Sequence, residues 1–267
     1  MKADALRKAV EGAADYVKSI GYHPVYACIY GSQNYGLDVY TDEYCSDFDY
    51  KVIVLPSLHD LVWDSKPVST VIDYEGGHID IKDIRAFMDT MVKCNPQYIE
   101  AMLTDHFVCL DEGCNYFPAI RGAMQDFIRS MGSLFVKACC GMFLEKRKAM
   151  THPYPTIAWK IDKWGYDGKQ VHHMYRMLLM LRHFHMTGEV SLIPPEDSRQ
   201  LLTDLKLNHV SLENAEAMIW EWDQEMNALQ STLENRYPIT DTFEKAKMIR
   251  LSRDMLYERC VKEAKAQ

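Results

Sequence analysis

The sequence predicts an α+β protein, a mixed sheet with helices followed by an all-helical C-terminal region. Two patterns carry that reading. Up to about residue 112, short β-branched and aromatic runs alternate with segments of helical periodicity, and beyond residue 118 the helical period is nearly unbroken. A third observation sets the scale: 267 residues, 48% hydrophobic and 25% charged, suffice for a full core in two subdomains or one large domain.

Leu6, Val10, Ala13, Val17 and Ile20 recur at helical spacing ahead of Gly21, which predicts an amphipathic helix over residues 3–20. "VYACIY" (25–30) reads as a strand ending at Gly31, and "DYKVIVL" (49–55) as a second strand closed by Pro56. "VSTVIDY" (68–74) and "HIDIK" (78–82), separated by Glu-Gly-Gly, predict a hairpin or two neighbouring strands. From Asp83 the helical period returns through "IRAFMDTMVKC" and "PQYIEAML", with Asn95-Pro96 as a break and an N-terminal proline.

Past residue 118, "AIRGAMQDFIRSMGSLFVKACCGMFLEKRKAM" predicts a long helical stretch with a break near Gly132 or Gly141. "GKQVHHMYRMLLMLRHFHMTGEV" stops at Gly188 and is the clearest single helix. "SRQLLTDLKL" and "SLENAEAMIWEWDQEMNALQSTLEN" follow, the latter with Ser211 as its N-cap. The expected domains are residues 1–112 and 113–267.

Thirty Lys+Arg against 38 Asp+Glu give a net charge of −8, which argues against strong non-specific attraction to nucleic acid or to an anionic membrane. Neither a DNA-binding nor an RNA-binding module is evident. The eight cysteines (Cys28, Cys45, Cys94, Cys109, Cys114, Cys139, Cys140, Cys260) show no C-x-x-C spacing and no cluster with histidines, against a zinc ribbon. With no signal peptide in view they read as reduced thiols of a cytoplasmic protein. Charges interrupt every apolar stretch before about 18 residues, so no membrane span is expected.

The chemistry concentrates in "CIYGSQNYGLDVYTDEYCSDFDYKVIVLP" (28–56). On an extended strand Asp47, Asp49 and Lys51 share one face. Two carboxylates so placed repel unless a cation sits between them, and hard oxygen donors suit Mg²⁺ or Mn²⁺ whose other ligands come from water and substrate phosphates. Gly31-Ser32, where a strand turns into a helix, offers backbone N–H groups and a hydroxyl as a seat for phosphate oxygens. Phosphate seat and metal dyad together indicate a nucleoside triphosphate. Asp80, pointing away from Ile79 and Ile81, is the third carboxylate a two-ion site needs. Asp83 is either its competitor or a helix N-cap.

On the helix ending at Gly188, Lys169, His173, Arg176, Met180 and His183 fall in one stripe, with Val171, Met174, Leu178 and Leu181 opposite. That stripe is either a solvated basic face or, through Lys169, His173 and Arg176, a grip on phosphate. A metal site drawn from His172, His173, His183 or His185 is a third reading, with no carboxylate or cysteine ligand at helical spacing to support it. Lys51 joins the nucleotide-binding candidates.

"GSQNYGL", "SDFDYKVIVLP", "HIDIKDIRAF" and "CNPQYIEAML" resemble the DNA polymerase beta superfamily of nucleotidyltransferases, and within it the predicted RNA-ligase-associated, polymerase-beta-type group. "GYDGKQVHHMYRMLLMLRHFHMTGEV" resembles a Lys, His, Arg helix ending in Thr-Gly in that group, so the resemblance covers most of the chain. It implies a polymerase-beta-like catalytic core over 1–112 and a helical domain over 113–267 completing a nucleotide and acceptor cleft. It implies catalytic, metal-binding roles for Asp47, Asp49 and Asp80 with Mg²⁺ or Mn²⁺, and a phosphate-binding role for Gly31 and Ser32. The implied reaction moves a nucleotide from a nucleoside triphosphate to a hydroxyl on RNA, a protein or a small molecule, RNA being favoured by the group's association with RNA ligases. One departure is a loop, "DVYTDEY", about four residues longer than the group's pattern. The alternative is a non-catalytic nucleotide-binding regulator or toxin-antitoxin component, a class that usually lacks one metal carboxylate.

Overall fold

The computed structural model describes residues 2–42, 44–239 and 242–266. The chain runs through α1 (Lys2–Ser19), β1 (His23–Tyr30), α2 (Ser32–Tyr35), β2 (Asp49–Leu55), α3 (Leu58–Val62), β3 (Ser69–Tyr74), β4 (Gly77–Asp83), α4 (Ile84–Met91), α5 (Pro96–Leu103) and β5 (Phe107–Cys109). Helices then follow one another: α6 (Gly113–Gly122), α7 (Met124–Ser130), α8 (Gly132–Ala149), α9 (Ala158–Trp164), α10 (Gly168–Thr187), α11 (Glu196–Lys206), α12 (Leu212–Arg236) and α13 (Phe243–Ala266). The architecture is mixed α+β, and among the described residues no single helix is long and apolar enough to cross a membrane.

The strands form one mixed sheet in the order β3-β4-β2-β1-β5. β1 is antiparallel to β2 and β5, β2 is parallel to β4, and β3 with β4 closes the expected hairpin. α1 lies on one face. Its Leu6, Val10, Ala13 and Val17 share a core with Ala27, Ile29, Tyr50, Val52, Val54, Ile79 and Ile81, each large aliphatic contributing about 1.5–3 kcal/mol by leaving water. Ile20, expected on that stripe, is exposed, because the helix stops at Ser19 and Gly21 turns the chain at φ 96°. β5 was not expected from the sequence: three residues are too few to show an alternation.

The long helical stretch is broken at Ala123 and at Met131, and Gly141 lies inside α8. Asp83, Asn95, Asp167 and Ser211 cap α4, α5, α10 and α12 by accepting backbone N–H groups, and Gly188 ends α10 in the left-handed conformation.

Two compact units emerge. The first comprises Met1–Gly36, Ser46–Phe127 and Asp241–Gln267, and the second Leu37–Cys45 and Ile128–Thr240. The division does not follow chain order: the expected border at 112/113 lies within the first unit, and α13 returns to it. The long loop belongs to the second unit, where the buried Lys206 donates to the Leu37 carbonyl at 3.1 Å and stands over the Tyr44 ring.

Candidate functional site

The sheet face opposite α1 carries the predicted chemistry, because strand register fixes which side chains stand together. Residues paired across neighbouring strands project to the same face. One row is Tyr30, Asp49, His78 and Asp73, on β1, β2, β4 and β3; the next is Cys28, Lys51, Asp80 and Val71; the third is Tyr26, Ile53, Lys82 and Ser69. The even residues of β2 and the odd ones of β4 fill the α1 core, so the polar set is confined to the other side.

Gly31, between β1 and α2, has φ 81° and ψ −154°, a conformation open essentially to glycine alone. A Cβ there would sit 3.3 Å from Asp49 Oδ2, so the glycine backbone runs against the carboxylate. Ser32 starts α2, whose first turn is closed by the Asn34 N–H on the Gly31 carbonyl at 3.0 Å. The Gly-Ser turn and Asp49 are thus brought together. Asp47 differs from expectation: β2 begins at Asp49, and Asp47 stands before it, exposed and off the strand. The residue between them, Phe48, has its carbonyl so close to Gly77 that a Cβ there would lie 1.9 Å away, which places the start of β4 against the strand entry.

Asp80 is buried and points, as expected, away from Ile79 and Ile81. Its Oδ2 accepts a hydrogen bond from Lys51 Nζ at 2.6 Å, and Lys82 Nζ lies 3.7 Å from Oδ1. Lys51, expected beside nucleotide, is only 3% exposed, with its ammonium over the faces of Tyr30 and Tyr98 at 4.2 and 4.9 Å. Burial, reinforced by the Asp49 and Asp80 carboxylates, pushes the Tyr30 phenol well above its ordinary range. Burial pushes the neighbouring Cys28 thiol up to about 12, against the pull of Lys51. Both groups are therefore neutral near pH 7 and neither is a nucleophile.

For a divalent cation the donors divide. Asp47 and Asp49 supply hard oxygens at a strand entry beside a glycine turn, which suits Mg²⁺ or Mn²⁺. Asp80 Oδ1 is buried without a hydrogen-bond partner, whereas Oδ2 already faces an ammonium. The three carboxylates do not gather with ligand atoms within 4.8 Å of one another.

His78 was not singled out from the sequence. Its Nδ1 lies 3.3 Å from Asp49 Oδ1 and its Nε2 3.7 Å from Asp73 Oδ1. A signal existed, since His78, Asp80 and Lys82 alternate within "HIDIK" and so share a face. Tyr98, on α5, had no such signal.

In the second unit, α10 is buried on nearly every side. Arg176 and Met180 are buried with Val171, Met174, Leu178 and Leu181, whereas Lys169, His173 and His183 of the same stripe are half-buried. Arg176 Nη1 lies 3.4 Å from His173 Nδ1, and Lys169 stands half-buried in the first turn. Burial first, then the Arg176 guanidinium, hold His172 down to about 3, while its Nδ1 donates to the Leu202 carbonyl at 2.8 Å. Burial and the neighbouring His172, Arg176 and Lys169 likewise hold His173 well below the usual histidine range. The histidines of α10 bring no carboxylate or thiol with them, and among the described residues they form no metal-ligand group.

Such a group does occur elsewhere in the first unit: His23, Asp111 and Glu112. Its charges are met internally, with His23 Nε2 2.6 Å from Glu112 Oε2 and Lys262 Nζ 3.3 Å from Oε1. His23 begins the strand that Tyr30 ends, roughly 23 Å away at about 3.3 Å per residue, so the cluster is no part of the Asp49 site.

No protein-family model matches the chain, and no curated protein does. Among solved structures, a nucleotidyltransferase-like protein from Exiguobacterium sibiricum 255-15 covers 97% of this chain and 91% of its own length at 10% identity. The TM-score is 0.31, and at that score the likeness carries no argument for fold or function.

Proposed function

We propose that this chain is a metal-dependent nucleotidyltransferase, moving a nucleoside monophosphate from a nucleoside triphosphate to a hydroxyl acceptor with release of pyrophosphate. The observation that carries the reading is the sheet face itself: a glycine turn held against Asp49, with Asp80 one row further along on the parallel neighbour.

Asp47 and Asp49 would hold Mg²⁺ or Mn²⁺, which when bound supplies the positive charge that a triphosphate needs to approach a carboxylate. Gly31 and Ser32 take phosphate oxygens through backbone N–H and hydroxyl groups. Gly31 keeps the chain close enough to Asp49 that phosphate and carboxylate address one point. Asp80 stands on the acceptor's side. The acceptor oxygen forms its bond to the α-phosphorus as the bond to pyrophosphate breaks, in line, and position rather than covalent chemistry is the protein's contribution. Lys169, His173 and Arg176, on their own helix, are candidate phosphate contacts. RNA, a protein side chain and a small molecule are the acceptor classes.

The test is incubation with Mg²⁺, each α-³²P nucleoside triphosphate in turn, and a mixture of RNA and lysate protein, beside an Asp47→Asn/Asp49→Asn variant. Label moved by the wild type alone supports the reading and identifies donor and acceptor class. Nucleotide-dependent, Mg²⁺-dependent thermal stabilisation without label transfer would instead support the nucleotide-binding regulator.

A further inference from the structure

Lys51 is a lysine in the middle of a carboxylate-bearing face, and its burial demands a counter-charge. That charge is Asp80. Nζ lies 2.6 Å from Oδ2, and the rings of Tyr30 and Tyr98 flank the ammonium. Lys82 stands near the other oxygen at 3.7 Å. The Asp80 carboxylate is therefore neutralised by the protein's own cations.

A Mg²⁺ ligand oxygen lies at about 2.1 Å from the ion. An ion on Oδ2 would meet the Lys51 ammonium 2.6 Å from that oxygen, and an ion on Oδ1 the Lys82 ammonium 3.7 Å from it, so like-charge repulsion opposes an ion at either. Paired catalytic ions also sit about 3.5–4 Å apart between shared carboxylates. Here Asp47, Asp49 and Asp80 do not gather within 4.8 Å of one another.

We infer that Lys51 takes the place of the second cation, so that one divalent ion per chain binds at Asp47 and Asp49, and Asp80 meets the acceptor hydroxyl directly. The inference deepens the nucleotidyltransferase reading and rests on it. In this arrangement the hydroxyl proton passes to Asp80 Oδ1, the buried oxygen without a hydrogen-bond partner. The hydroxyl oxygen bonds to the α-phosphorus, and the α–β bridging oxygen leaves with pyrophosphate. Lys51, bound to the opposite oxygen, holds the carboxylate in place without touching substrate.

The experiment is titration of the full chain with Mn²⁺ alone, counting bound ions by electron paramagnetic resonance. One Mn²⁺ per chain is expected, with Asp80→Asn unchanged in stoichiometry and within twofold in affinity, and Asp49→Asn weakened at least tenfold. Lys51→Met, which removes the ammonium and leaves the carboxylate, is expected to admit a second ion. Two ions in the wild type, or loss of an ion in Asp80→Asn, overturns the inference while leaving metal-dependent transfer standing. The wild-type count decides even if a variant does not fold. No ion at all would overturn both this inference and the metal-dependent reading beneath it.

Discussion

Breaking the Lys51–Asp80 pair should destabilise the first unit far more than removing it whole. The two side chains are 4% and 10% exposed and 2.6 Å apart, so either one left alone is a buried charge without its partner. Loss of one member of such a pair costs about 3–5 kcal/mol. Lys82 beside Asp80, and the ring faces beside Lys51, place both single variants at the lower end, about 3 kcal/mol. Lys51→Met and Asp80→Asn should each speed exchange of the slowest β2 and β4 amides about 150-fold, since each 1.4 kcal/mol is tenfold. The double variant removes both charges of the pair, leaving Lys82 its hydrogen bond to Ser69, and should lose clearly less than either single one. Hydrogen exchange read strand by strand confines the measurement to this sheet. Additive losses, with the double variant near about 6 kcal/mol, would refute the pairing argument.

Gly31→Ala combines a glycine-only conformation with a Cβ 3.3 Å from Asp49 Oδ2, and should lower stability by about 1–3 kcal/mol and nucleotidyl transfer at least tenfold, checked by urea titration and by label transfer. Gly141→Ala, in the interior of α8 with nothing within 4 Å of the new methyl, should raise the unfolding free energy from urea titration by up to about 1 kcal/mol. Gly77→Ala, with a Cβ 1.9 Å from the Phe48 carbonyl, should lower the unfolding free energy by at least about 2 kcal/mol. His172 is held by burial at about 3, against an ordinary 6.5, so below pH 6.5 the unfolded chain binds a proton that the folded one refuses. Its contribution is complete above pH 6.5 and is lost as pH falls toward 3, about 2 kcal/mol between pH 6.5 and 5. Urea midpoints at the two pH values should show a smaller difference for His172→Gln than for the wild type.

Patterns of period two and 3.6 made the sheet legible. The strands at 23–30, 49–55, 69–74 and 77–83 each alternate or run apolar, and the glycine and proline stops lie where the chain turns. What pairs with what was not legible. The parallel union of β2 and β4, which sets Lys51 beside Asp80, depends on a crossover that no local pattern records. For that reason Lys51 read as a nucleotide contact, although its side chain is buried on a carboxylate. Asp47 lies before the strand, and its neighbour Phe48 is approached closely by Gly77, again a long-range contact that no local pattern records. On α10 the helical period placed Lys169, His173 and Arg176 on one helix but left their solvation open, because burial there depends on the helices packed around α10, which enclose Arg176 and leave Lys169 and His173 half-buried.

The most direct measurement is Mg²⁺-dependent pyrophosphate release from nucleoside triphosphates by the wild type and by Asp49→Asn, with RNA and lysate protein supplied as acceptors. Release by the wild type that falls at least a hundredfold in Asp49→Asn, with the variant's fold retained by circular dichroism, is the predicted result. Full release by Asp49→Asn would contradict the account, because the reaction would then proceed without the carboxylate that Gly31 is built to approach.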